Sequence, residues 1–393
     1  MSLLFDIISL YELKTNEKAG CLMSYKTTNH NQKLAIVNLA ELEHKFSESM
    51  ELEGHKDEKD FILGGAGDEL SLRANSDDFN LWSIVPSVMN GLYHGLGDTT
   101  QSLLGVDLKV PIITSASAAH GLVHQQAEKA TLQGSHDAGT LMTVSTYSNE
   151  LLSSIHHAAP SADWFYQHSP DKDEEFSRFL LDEAVKQGAK AIVIGVYGAD
   201  FGRRERDLFN QFDFPLDLPF RQLTAYPNYP TDLDIFEVNN RKRTDITPKA
   251  IAELKAYTGL PVIIKGIQSD TDALRAIDHG ADAIWVSNTG GRQLDGTRST
   301  IKALPEISKV VQGRVPIIFD SGIRRGQHIF KALALGADVV AIGRPALYGL
   351  HLGGAKGVTE VIQHLQKELL NTMLLSGVTS ISELKQHARL ERN

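Results

Sequence analysis

Short runs of Val, Ile and Ala that turn polar at the same end, again and again, constrain this chain more than any other feature. The fullest example is Ala283-Ile-Trp-Val-Ser-Asn-Thr-Gly-Gly-Arg-Gln-Leu-Asp295. Its apolar residues read as a buried strand, and its polar tip (Ser287, Asn288, Thr289, Arg292) sits where side chains and backbone can converge on a ligand. Ile-Ile-Lys265-Gly, Ile-Phe-Asp320-Ser-Gly322 and Val-Ala-Ile-Gly343-Arg344 repeat the event. The strand candidates are Val110–Ser117, Thr140–Thr146, Asp163–His168, Ala191–Tyr197, Pro261–Ile267, Ala283–Asn288, Val315–Asp320 and Val339–Gly343. Most lack strict alternation, which is how strands buried on both faces read.

Helical stretches separate the later strands: Glu174–Gln187, Pro248–Thr258, Asp270–His279, Ile301–Val311 and Gly326–Leu335. Gly188-Ala-Lys, Gly280-Ala-Asp and Gly336-Ala-Asp each end a helix and lead straight into a strand, as a glycine C-cap feeding a parallel strand would. Strands alternating with helices predict an α/β fold, and eight strands in this length favour a (β/α)8 TIM barrel over an open sheet. The early strands carry no Gly-x-Gly-x-x-Gly, which argues against a dinucleotide-binding Rossmann domain. The gap from about Phe201 to Arg243, after strand four, is long enough to predict a lid or substrate loop.

The barrel is expected over residues 108–393, ending in an amphipathic helix from Val358 to Leu375. Residues 1–107 are expected to be an N-terminal extension and helical segment packed on it. Within them, Thr28–Gln32 reads as loop, Leu39–Met50 as a surface helix, Phe61–Asp68 as a glycine-rich turn, and Glu69 as the start of another helix before an irregular stretch to Asp107. A single cysteine, Cys21, excludes an intramolecular disulfide framework and a cysteine-rich zinc site, and no metal is expected. The apolar start, Met1–Ile8, has no basic flank, is interrupted by Asp6 and is too short to span a bilayer. A cytoplasmic protein with no membrane partner is the default. The formal charge of −10 argues against nucleic acid as a general partner.

Asp320-Ser-Gly-Ile-Arg324-Arg-Gly326 and Gly343-Arg344-Pro follow strands seven and eight, where barrels commonly bind phosphate through glycine amides and a helix N-terminus. Two arginines there suit a phosphate with bidentate geometry; helix caps and surface arginines are the plainer alternative. Lys265 ends strand five after three apolar residues. It is either a salt-bridge partner or a fixed cation that stabilises charge developing on a ligand.

Val262-Ile-Ile-Lys-Gly-Ile267, Trp285-Val-Ser-Asn-Thr-Gly-Gly-Arg-Gln293, Phe319-Asp-Ser-Gly-Ile-Arg-Arg-Gly326 and Ala341-Ile-Gly-Arg-Pro345 together resemble the FMN-dependent α-hydroxy-acid oxidase and dehydrogenase family, its lactate oxidase branch most of all. The resemblance runs from about Leu39 to Leu384 and includes Ala118-Ala-His-Gly121 and Gly202-Arg-Arg-Glu-Arg-Asp207. It implies FMN as cofactor, a small carboxylate-containing substrate and a homo-oligomer, commonly a tetramer. It places Lys265 near flavin N1 and the C2 carbonyl, Ser287 at the ring edge, and Ser117 and Ser145 among the cofactor's surroundings. Asp320 and Arg324 would hold the ribityl chain, Gly322, Gly343 and Arg344 the phosphate, and Arg204 and Arg292 the substrate carboxylate.

The same resemblance exposes departures. The family's Ser-Asn-His-Gly histidine, which takes the substrate hydroxyl proton, is Thr289 here. A carboxylate-gripping tyrosine is Phe61. A Gln-x-Tyr pair on strand three reads Tyr166-Gln167-His168, with His168 at the tyrosine position. A Thr-x-Asp pair on strand four reads Gly195-Val196-Tyr197, and strand one reads Thr114-Ser-Ala-Ser117 where the family has an Ala-Pro pair. A threonine hydroxyl cannot hold a proton reversibly near neutral pH, and general-base catalysis is worth about 10²–10⁴ in rate. Three readings stay open: an oxidoreductase with weak or altered hydroxy-acid activity, His168 serving as a displaced base; a silent FMN-binding protein with a structural or regulatory role; and a flavin-assisted isomerase.

Overall fold

Because the core strands carry apolar residues on both faces, each packs against two layers at once. Ile113, Phe165, Val193, Ile263, Trp285 and Ile318 gather in an inner cluster, while their neighbours Ile112, Trp164, Ile192, Ile264, Ile284 and Phe319 join a surrounding one with the helices. The computed structural model describes residues 25, 33–93, 95–198, 200–230 and 233–393; Met1–Ile8, Cys21 and Thr28–Gln32 lie outside them. Eight parallel strands close into a barrel: β1 Ile112–Thr114, β2 Met142–Ser145, β3 Trp164–His168, β4 Ile192–Gly195, β5 Val262–Ile267, β6 Ala283–Val286, β7 Ile317–Phe319 and β8 Val339–Ile342. They pair in chain order, β8 meets β1, and β6 meets β7, so the expected (β/α)8 architecture forms with no open edge. Gly188, Gly280 and Gly336 all have positive φ (88°, 92° and 114°), so each supplies the left-handed turn between helix and strand.

Most ladders are shorter than the apolar runs suggest. β1 covers three residues where eight read as strand, and Ser115–Ser117 leave the sheet to border a cavity. The same holds after β4 and β7, where Tyr197 and Asp320 lie beyond the last paired residue and line that cavity. The C-terminal helix is longer than expected, Arg344–Ser376, because the helix that follows β8 continues through a kink at Gly353 and Gly354.

The stretch before Asp107 holds more order than its sequence shows. Strand Trp82–Val85 pairs antiparallel with Arg389–Arg392, and a hairpin, Gln101–Leu103 with Val106–Leu108, puts Leu103, Val106 and Leu108 into the inner cluster. Among the described residues, no helix is long and apolar enough to cross a membrane.

Helix Ala127–Asp137 and the C-terminal helix touch closely at Gly134, where an added Cβ would lie 2.3 Å from the Ala355 carbonyl oxygen. Gly134→Ala gains about 1 kcal/mol in helix propensity. The overpacking costs roughly 1–3 kcal/mol or more, because the obstacle is backbone. A net loss of stability is expected, read as a lower urea midpoint.

Candidate active site

Lys265 rises from β5 into the barrel mouth and is fully enclosed. Its Nζ donates to Ser115 Oγ at 3.1 Å, lies 3.5 Å from Asp320 Oδ2, and sits 4.7 Å from the Trp285 ring centroid. Trp285 Nε1 and Ser321 Oγ donate to the two Asp320 oxygens at 3.0 and 2.8 Å, so the carboxylate is held from three sides. Burial alone would pull the lysine down, but Tyr197 and Asp320 outweigh it and its pKa is raised. A charge this deep persists only when paired and hydrogen-bonded.

Above this pair lies a cavity of about 290 Å³ at the C-terminal end of the strands. Of the residues singled out from sequence, Phe61, Ser117, Ser145, Tyr197, Arg204, Lys265, Thr289, Arg292, Asp320, Gly322, Arg324, Gly343 and Arg344 all border it. The segment from Phe201 to Arg243 carries helices Glu205–Asn210, Arg221–Thr224 and Ile235–Asn240 and contributes Phe201, Gly202, Arg204, Phe214, Phe220, Asn239 and Lys242 to the wall. Gly202 fastens it to the turn after β6. Its amide donates to Gln293 Oε1 at 2.9 Å, and a Cβ would lie 2.1 Å from the Arg292 carbonyl oxygen.

Phe61 organises the cationic side. The guanidinium carbons of Arg292 and Arg204 lie 4.7 and 5.4 Å from its ring centroid. Arg292 donates to the carbonyls of Phe61 and Gly64, whereas Arg204 pairs with Asp207 at 3.1 Å. Burial first, then Arg204 and Arg344, pull the Arg292 guanidinium well below its ordinary range.

Thr289 takes the left-handed conformation (φ 57°), unusual for a β-branched residue. Its amide donates to Ser287 Oγ at 3.1 Å, and its own hydroxyl is buried with no protein partner. Beyond β4, Tyr197 folds back over Gly195, where any Cβ would meet the ring at 2.3 Å, and its hydroxyl donates to Gln167 Oε1 at 3.2 Å. The two changes on that strand therefore fit each other.

Two expected residues lie elsewhere. His168 does not enter the cavity: strand alternation sends Phe165 and Gln167 inward and His168 outward, so its ring borders a separate pocket between barrel and helices. Burial pulls its pKa down to about 3, and Nδ1 has no partner. Ser287 is fully buried behind the Thr289 amide rather than on the cavity wall. Two others border the cavity but are engaged. Arg344 donates to the carbonyls of Ile62, Gly290 and Gly64, and Arg324 lies 3.5 Å from Glu43. Sequence reasoning missed Gln167, whose inward phase replaces that of His168, and Lys242, which lies within the expected lid segment with nothing in the run Arg241-Lys-Arg243 to single it out.

A barrel with a buried lysine at the end of β5 and arginine–glycine turns after β7 and β8 is built to take an anionic, phosphate-bearing ligand at its mouth, and comparison with known proteins says of which kind. Residues 54–391 match the FMN-dependent dehydrogenases, and the chain belongs to that family. An L-lactate oxidase of Lentilactobacillus hilgardii is 41% identical over 362 residues, 92% of this chain and 96% of that protein. Glycolate oxidase 2 of Oryza sativa subsp. indica is 38% identical over 343 residues, 85% and 92% of the two chains. Among solved structures, a provisionally named lactate oxidase of Pediococcus acidilactici aligns with a TM-score of 0.86 and 40% identity, covering 94% of this chain and 98% of its own. A mandelate oxidase aligns at 0.83 and 31%, covering 91% and 99%. FMN is the cofactor of the family.

The unusual backbone at Thr289 gives one expected outcome. A non-glycine residue held there costs on the order of 1–3 kcal/mol, and glycine's extra chain entropy costs about 0.5–1. Thr289→Gly is therefore expected to be roughly 1 kcal/mol more stable in urea unfolding.

His168 gives another. Its pKa is 6.5 unperturbed and about 3 when folded, so the unfolded chain binds the proton first. Stability attributable to His168 is therefore full above about 6.5 and lost as pH falls from there towards about 3. Glu128, pushed by burial from 4.5 to about 7, acts the opposite way between those values. The difference between the parent and His168→Leu isolates the histidine: urea midpoints measured against pH should fall less steeply below pH 6.5 in the variant.

Proposed function

We propose that this protein is an FMN-holding member of the hydroxy-acid oxidase family in which oxidation of L-lactate is weak or absent. The observation that carries the reading is the proton inventory of the cavity. No histidine or glutamate is among the described residues that line it, its one carboxylate, Asp320, is engaged by Lys265, Trp285 and Ser321, and Thr289 offers only a hydroxyl. Burial pushes the Tyr197 hydroxyl above its ordinary range, which makes it a poor proton acceptor at neutral pH.

The residues present fit FMN. Gly343 is the N-cap of the long C-terminal helix and has no side-chain cap, and a Cβ on it would meet only Ser117 Oγ at 3.7 Å, so its backbone borders open space at a helix N-terminus. Such an end favours a phosphate, with Arg344 and Arg324 nearby. Lys265 is a fixed cation on the cavity floor, able to stabilise negative charge on a ring lying above it. When bound, FMN supplies a two-electron acceptor. Arg292 and Arg204 would hold a substrate carboxylate against the Phe61 face, and the lid segment would exclude water. What the chain lacks is a proton acceptor at the Thr289 position, since Lys242, the lining amine brought down to about 7, stands against Tyr147 and Phe201 instead, so turnover should fall about 10²–10⁴-fold below that of a histidine-bearing relative.

The purified protein should take up FMN and turn yellow, and anaerobic L-lactate should bleach its visible absorption only very slowly. Thr289→His should speed the bleaching, more so combined with Tyr197→Asp, which returns a carboxylate beside the imidazole. Rapid bleaching of the unmodified protein sinks the reading of a lost base. A colourless protein that refuses FMN sinks the reading of a kept cofactor site.

A further inference from the structure

The substrate end of the cavity carries more positive charge than a single carboxylate can answer. Three cations border it: Arg204, Arg292 and Lys242. Asp207 pairs with Arg204 at 3.1 Å and reaches Arg292 only through its field, while Arg292 donates to backbone carbonyls and lies over an aromatic face. Lys242 makes no ion pair among the described residues. Its ammonium rests 4.0 Å from the centroid of Tyr147 and 4.7 Å from that of Phe201. Three cations against one carboxylate leave a surplus of two, on a chain whose formal net charge is −10. Uncompensated charges in a partly desolvated pocket are costly, and a ligand that pairs with them removes that cost.

The cations also stand in two places. The arginines share the Phe61 face, beside the turn after β6, whereas Lys242 stands against Tyr147, just past β2, and Phe201 of the lid segment. One carboxylate held by both arginines would leave Lys242 unanswered. We infer that the pocket selects a hydroxy acid bearing a second anionic group, a dicarboxylate in the simplest case, with its first carboxylate on Arg204 and Arg292 and its second on Lys242. Lysine suits the second position, because a compact ammonium on a flexible stem accepts an anion without fixed fork geometry. The electrostatics of Lys242 agree: burial first, then Arg204, pulls it down to about 7, and an anion beside it would restore its full charge.

This inference rests on the reading of Arg204 and Arg292 as carboxylate ligands, and one binding experiment separates the two. L-malate and L-lactate share a hydroxy-acid head and differ in the second carboxylate. Titrating each into the FMN-loaded protein anaerobically, by calorimetry, should show malate binding about tenfold or more tighter. Lys242→Met should remove that preference and leave the lactate affinity within about twofold, which also reports an intact fold, and Lys242→Arg should keep most of it. Equal affinities in the parent, or equal weakening of both acids in Lys242→Met, overturns the second site while the arginine reading stands. Failure of both acids to bind overturns the arginine reading and the inference with it.

Discussion

A lysine and an aspartate facing each other at the floor of a closed barrel set the terms for everything above them. Lys265 and Asp320 belong to β5 and the turn after β7, and the strand between supplies Trp285, whose indole donates to the same carboxylate oxygen that faces the ammonium. An unpaired charge here would cost several kcal/mol, so neither partner can be removed without exposing the other. The pair ties together strand ends that would otherwise carry only backbone ladders, and it offers a fixed positive charge to whatever lies in the cavity. Thr289, Tyr197 and the glycine turns are arranged around that charge.

The altered side of the cavity is internally consistent. Gly195 leaves room for the Tyr197 ring, Gly266 (φ 113°) brings backbone close to the same ring, and Gln167 meets the phenol hydroxyl. A lone tyrosine placed in an unprepared wall would overpack it, at about 1–3 kcal/mol. Here the neighbours accommodate it. That mutual fit means the changes on this wall were accommodated together rather than one at a time.

The barrel was legible because strands buried on both faces leave continuous apolar runs, and because glycines closing helices before strands recur at matching points. Strand ends were less legible. An apolar run does not say where hydrogen bonding stops, and the residues just past that point, Ser115–Ser117, Tyr197 and Asp320, are the ones that reach the cavity. His168 was misplaced because motif position says nothing about strand phase, and one residue of phase moves a side chain to the opposite face. Lys242 escaped notice because charge runs usually face water, and only the fold brings Tyr147 and Phe201 against it. Arg344 looks like a phosphate ligand in sequence, yet three backbone carbonyls already engage it.

The two-stranded pairing of Trp82–Val85 with Arg389–Arg392 bears on how the chain assembles. The first of these strands emerges from the ribosome before any barrel strand does, yet its partner is made only after the whole barrel. Until then it is a bare ribbon of Trp, Ser, Ile and Val, able to pair with the wrong neighbour. Its short length, four residues, limits that hazard during the wait.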